Sequence, residues 1–583
     1  MMFIAYIGRS FPVIGHDFSF FMPRLIDTYL HYSINGFTVQ WYTPSFGGGT
    51  PAYADPQSLQ FSLVQLLTSF FDPWLATCLS VIVYLGAGFT AGYFLLRKLI
   101  RLEWTASLLG ALLFVANGFY IQHISVGHVG FLAFPLLPLL LYCLLRESRS
   151  ILFEGLLISM VLAFVFYGGG IYVLVAYIFS LMLTLPTLYV FRSRLFDWKL
   201  MGLRSLVAVS WALGLILSKL WAEMAFLRWF PREINPTLPV SWLDGLSSIA
   251  GQLLGTMTLA PYYWLTQRNL VPFSQYYSVW IGPGHSLWEY DISLSPVLWF
   301  LIMLGLLWIL IDLKHPVKLT FRQHAAVWVL IMALFVTASF ITTKGWVYTS
   351  LKQLPGIASL NVPWRFTSAF IYPLSLVGAI SYNRLIERSS TRKQEFLLVF
   401  FSAVVFIFVL PYYRVPEVYT GQWFNAQSLL DTYHSIVNGY SPRVTQILDV
   451  ADAEAIQNEA SSLYPHDPMF GYGTSNYRHE TSVGPVDLIE NGYFNINNAS
   501  GFVYPEINHT RPYERIRTED QEDFYDFTHR RQPAWKRPMS QYIADGITVL
   551  CLIAAAIFLG SRMMKNCSAR LADGKLLNFR LRK

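Results

Sequence analysis

The stretch I-L-F-E-G-L-L-I-S-M-V-L-A-F-V-F-Y-G-G-G-I-Y-V-L-V-A-Y-I-F-S-L-M-L-T-L-P-T-L-Y-V, Ile151 to Val190, decides the fold class. It holds two apolar runs, 151–170 and 171–190, that meet at Tyr167-Gly168-Gly169-Gly170. Each has the length an α-helix needs to cross about 30 Å of hydrocarbon at 1.5 Å per residue. Further runs of this kind lie at about 74–96, 104–120, 129–145, 201–220, 295–313, 325–341, 366–383, 395–410 and 542–561. The composition agrees: of 583 residues 54% are hydrophobic, 16% aromatic and only 13% charged, and the mean hydropathy is +0.41. The charged share is half that of an ordinary soluble domain, about 25%. A large water-soluble enzyme is excluded, and the expected fold is an all-α polytopic membrane protein of about 11–12 transmembrane helices.

Charge gives the orientation. Arg97/Lys98/Arg101, Arg146/Arg149, Arg192/Arg194/Lys199, Lys314/Lys318/Arg322 and Arg384/Arg388/Arg392/Lys393 fall on alternate loops, and the tail after 561 is strongly basic. By the positive-inside tendency that side is cytoplasmic, so the outer segments are expected near 15–73, 121–128, 221–294, 342–365 and 411–541. The same bias accounts for the net charge of +7, and no nucleic-acid partner is implied. Residues 2–14 are apolar but short and contain Arg9, and are read as an incomplete first helix; a signal peptide is the competing reading. The chain divides into a transmembrane domain at 1–410, a small α+β extracytoplasmic domain at 411–541 with 17 acids against 10 bases by count, and a final helix with a basic cytoplasmic tail at 542–583. Strand content is expected near Gly501-Phe502-Val503-Tyr504. Cys78, Cys143, Cys551 and Cys567 form no CxxC pair, so neither a disulfide framework nor a thiolate metal site is expected.

The first outer segment carries the most chemistry: G-H-D-F-S-F-F-M-P, Gly15 to Pro23, then W-Y-T-P-S-F-G-G-G-T-P-A-Y-A-D-P-Q, Trp41 to Gln57. Asp17 stands where the chain leaves the lipid, a place suited to a general base that takes a proton from an attacking hydroxyl. The plainer alternative is that Asp17 caps a helix starting at Phe18. Gly47-Gly48-Gly49 matches neither GxGxxG nor a P-loop, so nucleotide binding is not supported.

These residues, with G-F-Y-I-Q-H-I-S-V-G-H-V-G-F-L-A-F-P-L-L-P (Gly118 to Pro138) and L-P-G-I-A-S-L-N-V-P-W-R-F (Leu354 to Phe366), resemble the C-type (GT-C) membrane glycosyltransferases and the related YfhO-like bacterial membrane proteins. The resemblance covers about residues 10–400. It implies an integral inner (plasma) membrane enzyme with an extracytoplasmic active face. Such an enzyme moves a sugar, with inversion, from a polyprenyl-phosphate carrier to an envelope glycan, lipid or protein acceptor, and Asp17 would be its base. The chain departs from the pattern in its short first helix, in Asn361 where Arg is usual, and in the absence of a second acid next to Asp17 in sequence. The last departure leaves a bound divalent metal unsupported, and no other cofactor is expected.

Cations for a lipid phosphate are expected among Lys219, Arg228, Arg232 and Arg365. Lys219 and Glu223 alternatively form a plain i,i+4 pair, and the arginines alternatively snorkel at the interface. His128 and Glu289 are the remaining substrate-binding candidates; His128 shares its loop with His123, and His285 and Glu289 sit one helical turn apart. Outer rings such as Trp41, Trp221 and Trp288 suit either sugar stacking or an interfacial belt. A transporter or flippase for lipid-linked glycans, with Glu154 and the Tyr167–Gly170 break as its hints, and a noncatalytic envelope assembly protein are the competing classes.

Overall fold

The computed structural model describes residues 17–147, 150–229, 241–266, 289, 292–312, 320–354, 357–358, 360–409, 426–465, 483–485, 521–532 and 537–572. All eleven apolar runs are helical. Among the described residues, five helical stretches are long and apolar enough to cross a membrane: Pro73–Leu99, Ile171–Leu195, Trp198–Leu227, Phe321–Ile341 and Met539–Arg562. A sixth is reached if the pair Trp104–Val115 and Gly118–Ser125, bent by 41°, counts as one span. Several of the other apolar runs form shorter or broken helices, for local reasons. The run at 104–120 breaks because Asn117 leaves the helix and caps the next one, accepting from Tyr120 N at 2.9 Å. The run at 129–145 contains Pro135 and Pro138 and winds through two 3-10 turns before its helix begins. The runs at 151–170 and 295–313 yield shorter apolar helices, Ile151–Tyr167 and Pro296–Ile311.

In chain order the elements that position the site are α1 (Phe18–Asn35), β1 (Tyr42–Thr43), β2 (Thr50–Pro51), α2 (Leu63–Thr68), α3 (Pro73–Phe94), α4 (Trp104–Val115), α5 (Gly118–Ser125), α6 (Leu137–Leu145), α7 (Ile151–Tyr167), α8 (Ile171–Arg192) and α9 (Trp198–Trp229). Asp72 starts α3 by accepting from Trp74 N and Leu75 N, with Pro73 at the first helical position where its missing N–H costs nothing. β1 and β2 pair antiparallel, and the glycine run turns between them with Gly47, Gly48 and Gly49 all at positive φ. A side chain on Gly49 would collide with the Tyr42 ring.

After α9 follow α10 (Trp242–Thr266), α11 (Pro296–Asp312), α12 (Phe321–Ile341), α13 (Gly345–Lys352), a 3-10 turn at Pro363–Phe370, α14 (Ile371–Ile386) and α15 (Thr391–Val409). Among the described residues the main core is a large apolar cluster in which Phe20, Leu25, Phe119, Leu137, Leu298 and Phe366 are fully buried, with smaller clusters around Tyr42 and Ile447 and around Trp41 and Phe226.

The segment after 410 supplies α16 (Ala426–Val437), β3 (Gln446–Leu448), α17 (Asp452–Ala455), β4 (Ala460–Ser462), β5 (Gly484–Pro485) and α18 (Gln521–Thr528), and the chain ends its described part in α19 (Met539–Ala572). β3 lies between β4, parallel, and β5, antiparallel. This small sheet is sewn to the glycine hairpin: Ser462 N donates to Ser45 O at 2.9 Å and Gly47 N to Ser462 O at 2.6 Å. The Tyr433 hydroxyl donates to Thr68 O and Phe71 O. The strand expected at Gly501–Tyr504 and the short helix expected at 2–14 lie outside the described residues.

Candidate functional site

Asp17 occupies the position before α1, but its backbone is helical and its side chain makes no cap hydrogen bond. The capping role is therefore not the one it plays. Its Oδ2 lies 3.3 Å from His128 Nε2, with the His128 side chain 4% and the Asp17 side chain 13% exposed. The main chain sets this approach. Asp17 N donates to Val126 O at 3.1 Å, and Gly127, at φ +81°, passes so close that a Cβ there would sit 2.5 Å from Phe18 N. Behind His128, the His123 ring stands 5.0 Å away and its Nδ1 donates to Phe119 O.

The second half of the cluster comes from the other end of the membrane domain. Arg365, in the 3-10 turn before α14, donates through Nε and Nη2 to the two carboxylate oxygens of Glu289, the two-point geometry that makes such pairs strong. Its guanidinium also lies over the rings of Tyr172 and Phe131, at 4.8 and 5.2 Å. Burial alone would lower the Arg365 pKa. Glu289, and after it Tyr172 and Asp17, outweigh that and hold it above its ordinary value. Phe131 joins the halves, since its ring also neighbours His128 at 5.8 Å and His123 at 4.2 Å.

Four expected residues, Asp17, His128, Glu289 and Arg365, thus meet in one buried, aromatic-lined cluster. Glu289 is engaged by Arg365, and its expected neighbour His285 lies outside the described residues. Glu289 also brings a second carboxylate into the cluster, from a part of the chain distant in sequence from Asp17.

Lys219 is placed elsewhere. On α9 it is 1% exposed, its Nζ donates to Ser58 O at 2.8 Å, and it stands 3.6 Å from Glu223, so the i,i+4 pairing is what forms. Its ammonium is enclosed by protein rather than turned to a head group. Arg228 lies on the same helix, with its side chain outside the described residues, and Arg232 lies wholly outside them. Trp41 is buried against Tyr53, and the Arg537 guanidinium covers it at 5.0 Å.

A second polar group escaped sequence reasoning. Asp27, in the middle of α1, accepts from Ser45 Oγ and Gln40 Nε2 and lies 3.3 Å from Arg530 Nη1, and burial lowers the Arg530 pKa against the opposing pull of Asp27. One turn earlier Arg24 pairs with Asp452 at 3.1 Å. The available signal was a pair of charges inside an otherwise apolar helix face. Beside them a small cavity of about 30 Å³, room for a water, is lined by Arg24, Asp27, Asp55, Gln57 and Gln65 among others.

The two features read as hints of transport have the following surroundings. Arg204, fully buried, donates to the carbonyls of Cys143, Leu144 and Arg146 and closes the end of α6, while Arg146 stands 3.4 Å from Glu154. The glycine break between α7 and α8 lets Gly130 approach, where a Cβ would lie 2.8 Å from Gly169 O. Among the described residues no three His, Cys, Asp or Glu side chains are grouped to hold a metal ion. Compared with protein-family models, with curated proteins and with solved structures, the chain matches none.

Proposed function

We propose that the Asp17–His128–Arg365–Glu289 cluster is the active centre of an inverting glycosyltransferase that works at the extracytoplasmic face and draws its sugar from a polyprenyl-phosphate carrier. The observation that carries this reading is the meeting of four polar side chains from distant parts of the chain, three of them inside or at the edge of the motifs that resemble the GT-C enzymes.

In this reading the acceptor hydroxyl attacks the anomeric carbon while Asp17 takes its proton. The bond from that carbon to the phosphate oxygen breaks, and the electron pair leaves with the lipid phosphate from the opposite face, so the sugar inverts. His128 holds the carboxylate in line with the attack. Arg365, anchored on Glu289 and on two ring faces, turns its remaining N–H groups to the leaving phosphate.

The test is mass spectrometry of lipid-linked sugars and envelope glycans in cells with and without the protein. Loss should leave a lipid-linked sugar accumulating and one glycan, lipid or protein lacking that sugar. Unchanged profiles of both would remove the transferase reading and leave a transporter or an assembly role.

A further inference from the structure

Away from the cluster, an apolar groove of about 650 Å³ lies between α8 and α12. That volume falls in the range of about 300–1,000 Å³ typical of ligand sites. Its walls follow helical spacing: Leu181, Leu185 and Tyr189 on α8, and Ala325, Val329 and Val336 on α12. Both helices are among those long and apolar enough to cross a membrane. The groove therefore opens sideways into lipid rather than into water.

One end differs from the rest. Arg322 lines it, together with the half-exposed indole of Trp198, and the chain from the end of α8 to the start of α9 carries exposed Arg192, Arg194 and Lys199 near in sequence to the lining residues Tyr189 and Trp198. Among the described residues none of these four cations is in an ion pair with an acid. The Arg322 end is also fixed in place. Thr320 and Gln323 form a capping box at the start of α12, and Gln323 Nε2 donates to Val190 O at 3.1 Å, which ties the two helix ends together. Basic pockets between membrane helices with an indole at the interface suit an anionic lipid head group.

We infer that the groove between α8 and α12 holds one anionic glycerophospholipid, its phosphate on Arg322 and an acyl chain along Ala325, Val329 and Leu185. The site is separate from the cluster of the proposed function. Tyr172, in that cluster, and Leu181 to Tyr189, in the groove, are on the same helix but ~14–26 Å apart along it. The inference rests on α8 and α12 crossing a membrane and not on the transferase reading.

The experiment uses the full-length protein in detergent, stripped of lipid, then given phosphatidylglycerol or phosphatidylcholine with identical chains and examined by native mass spectrometry. The wild type should retain phosphatidylglycerol several-fold more than phosphatidylcholine. Arg322→Gln should lose that preference, and Ala325→Phe, at an exposed position that fills the groove without touching the core, should lower retention of both lipids. Equal retention of the two lipids by the wild type, or an unchanged preference in Arg322→Gln, would overturn the site. A polyprenyl phosphate that displaces phosphatidylglycerol at equal concentration would overturn the choice of occupant.

Discussion

Two buried charge pairs of the same kind, Lys219–Glu223 and Arg365–Glu289, have opposite architectures. The first joins neighbours one helical turn apart on α9 and ends on a backbone carbonyl, Ser58 O. The second joins residues 76 positions apart, uses a two-point contact, lies against two aromatic faces and shares its field with Asp17. A local pair satisfies a helix that happens to carry two charges. A pair assembled across the fold costs desolvation and loop closure, and only the arrangement it creates accounts for that cost.

Breaking the distant pair should have the largest effect. Arg365→Gln leaves Glu289 buried without its cation and should destabilise the protein by about 3–5 kcal/mol. Thermal unfolding in detergent measures it, and adding Glu289→Gln should restore much of the stability but none of the transfer. If the double variant works at the wild-type rate, the pair is as structural as the one on α9.

Asp17→Asn keeps size and hydrogen bonding but cannot take the proton, so turnover should fall by about 10²-fold or more with donor binding intact. Purified variant protein that still transfers at more than about a third of the wild-type rate would end the assignment of a base to this position. His128→Gln should cost less, about 1.5–3 kcal/mol of transition-state stabilisation, the range for a hydrogen bond to a charged group, seen in kcat more than in KM. An equal loss in both constants would mean that His128 binds rather than orients.

The smallest effect belongs to the local pair. Replacing Lys219 and Glu223 together by Met and Leu removes both charges at similar volume and should change stability and donor dependence little, since buried pairs are often replaceable in this way. A large rise in the donor concentration needed for half-maximal rate would instead place Lys219 at the phosphate.

What the sequence made legible follows the same division. The eleven apolar runs were readable because hydropathy is a property of each run by itself, and so was the i,i+4 contact of Lys219 with Glu223. Which runs form long unbroken helices was not, because that depends on where Asn117, Pro135 and Pro138 bend the chain, and a sliding count of apolar residues does not register a bend. Asp17, His128, Arg365 and Glu289 could each be named from motif and position. That Glu289 meets Arg365 could not, since nothing in the spacing of either residue points across 76 positions of chain. Asp27 and Arg530 were missed for the same reason: each looks like an isolated charge until the hairpin of β1 and β2 is closed between them.

Gly127 gives the distance between Asp17 and His128 an unusual owner. A Cβ at 127 would lie 2.5 Å from Phe18 N and 2.7 Å from Cγ of the Phe18 ring, so the segment that carries His128 and the start of α1 come together only because position 127 has no side chain. Its φ of +81° adds a second demand for glycine. Gly127→Ala therefore acts as a wedge between the two segments that leaves every polar group in place, and its turnover beside that of the wild type would read how far the chemistry depends on their close approach.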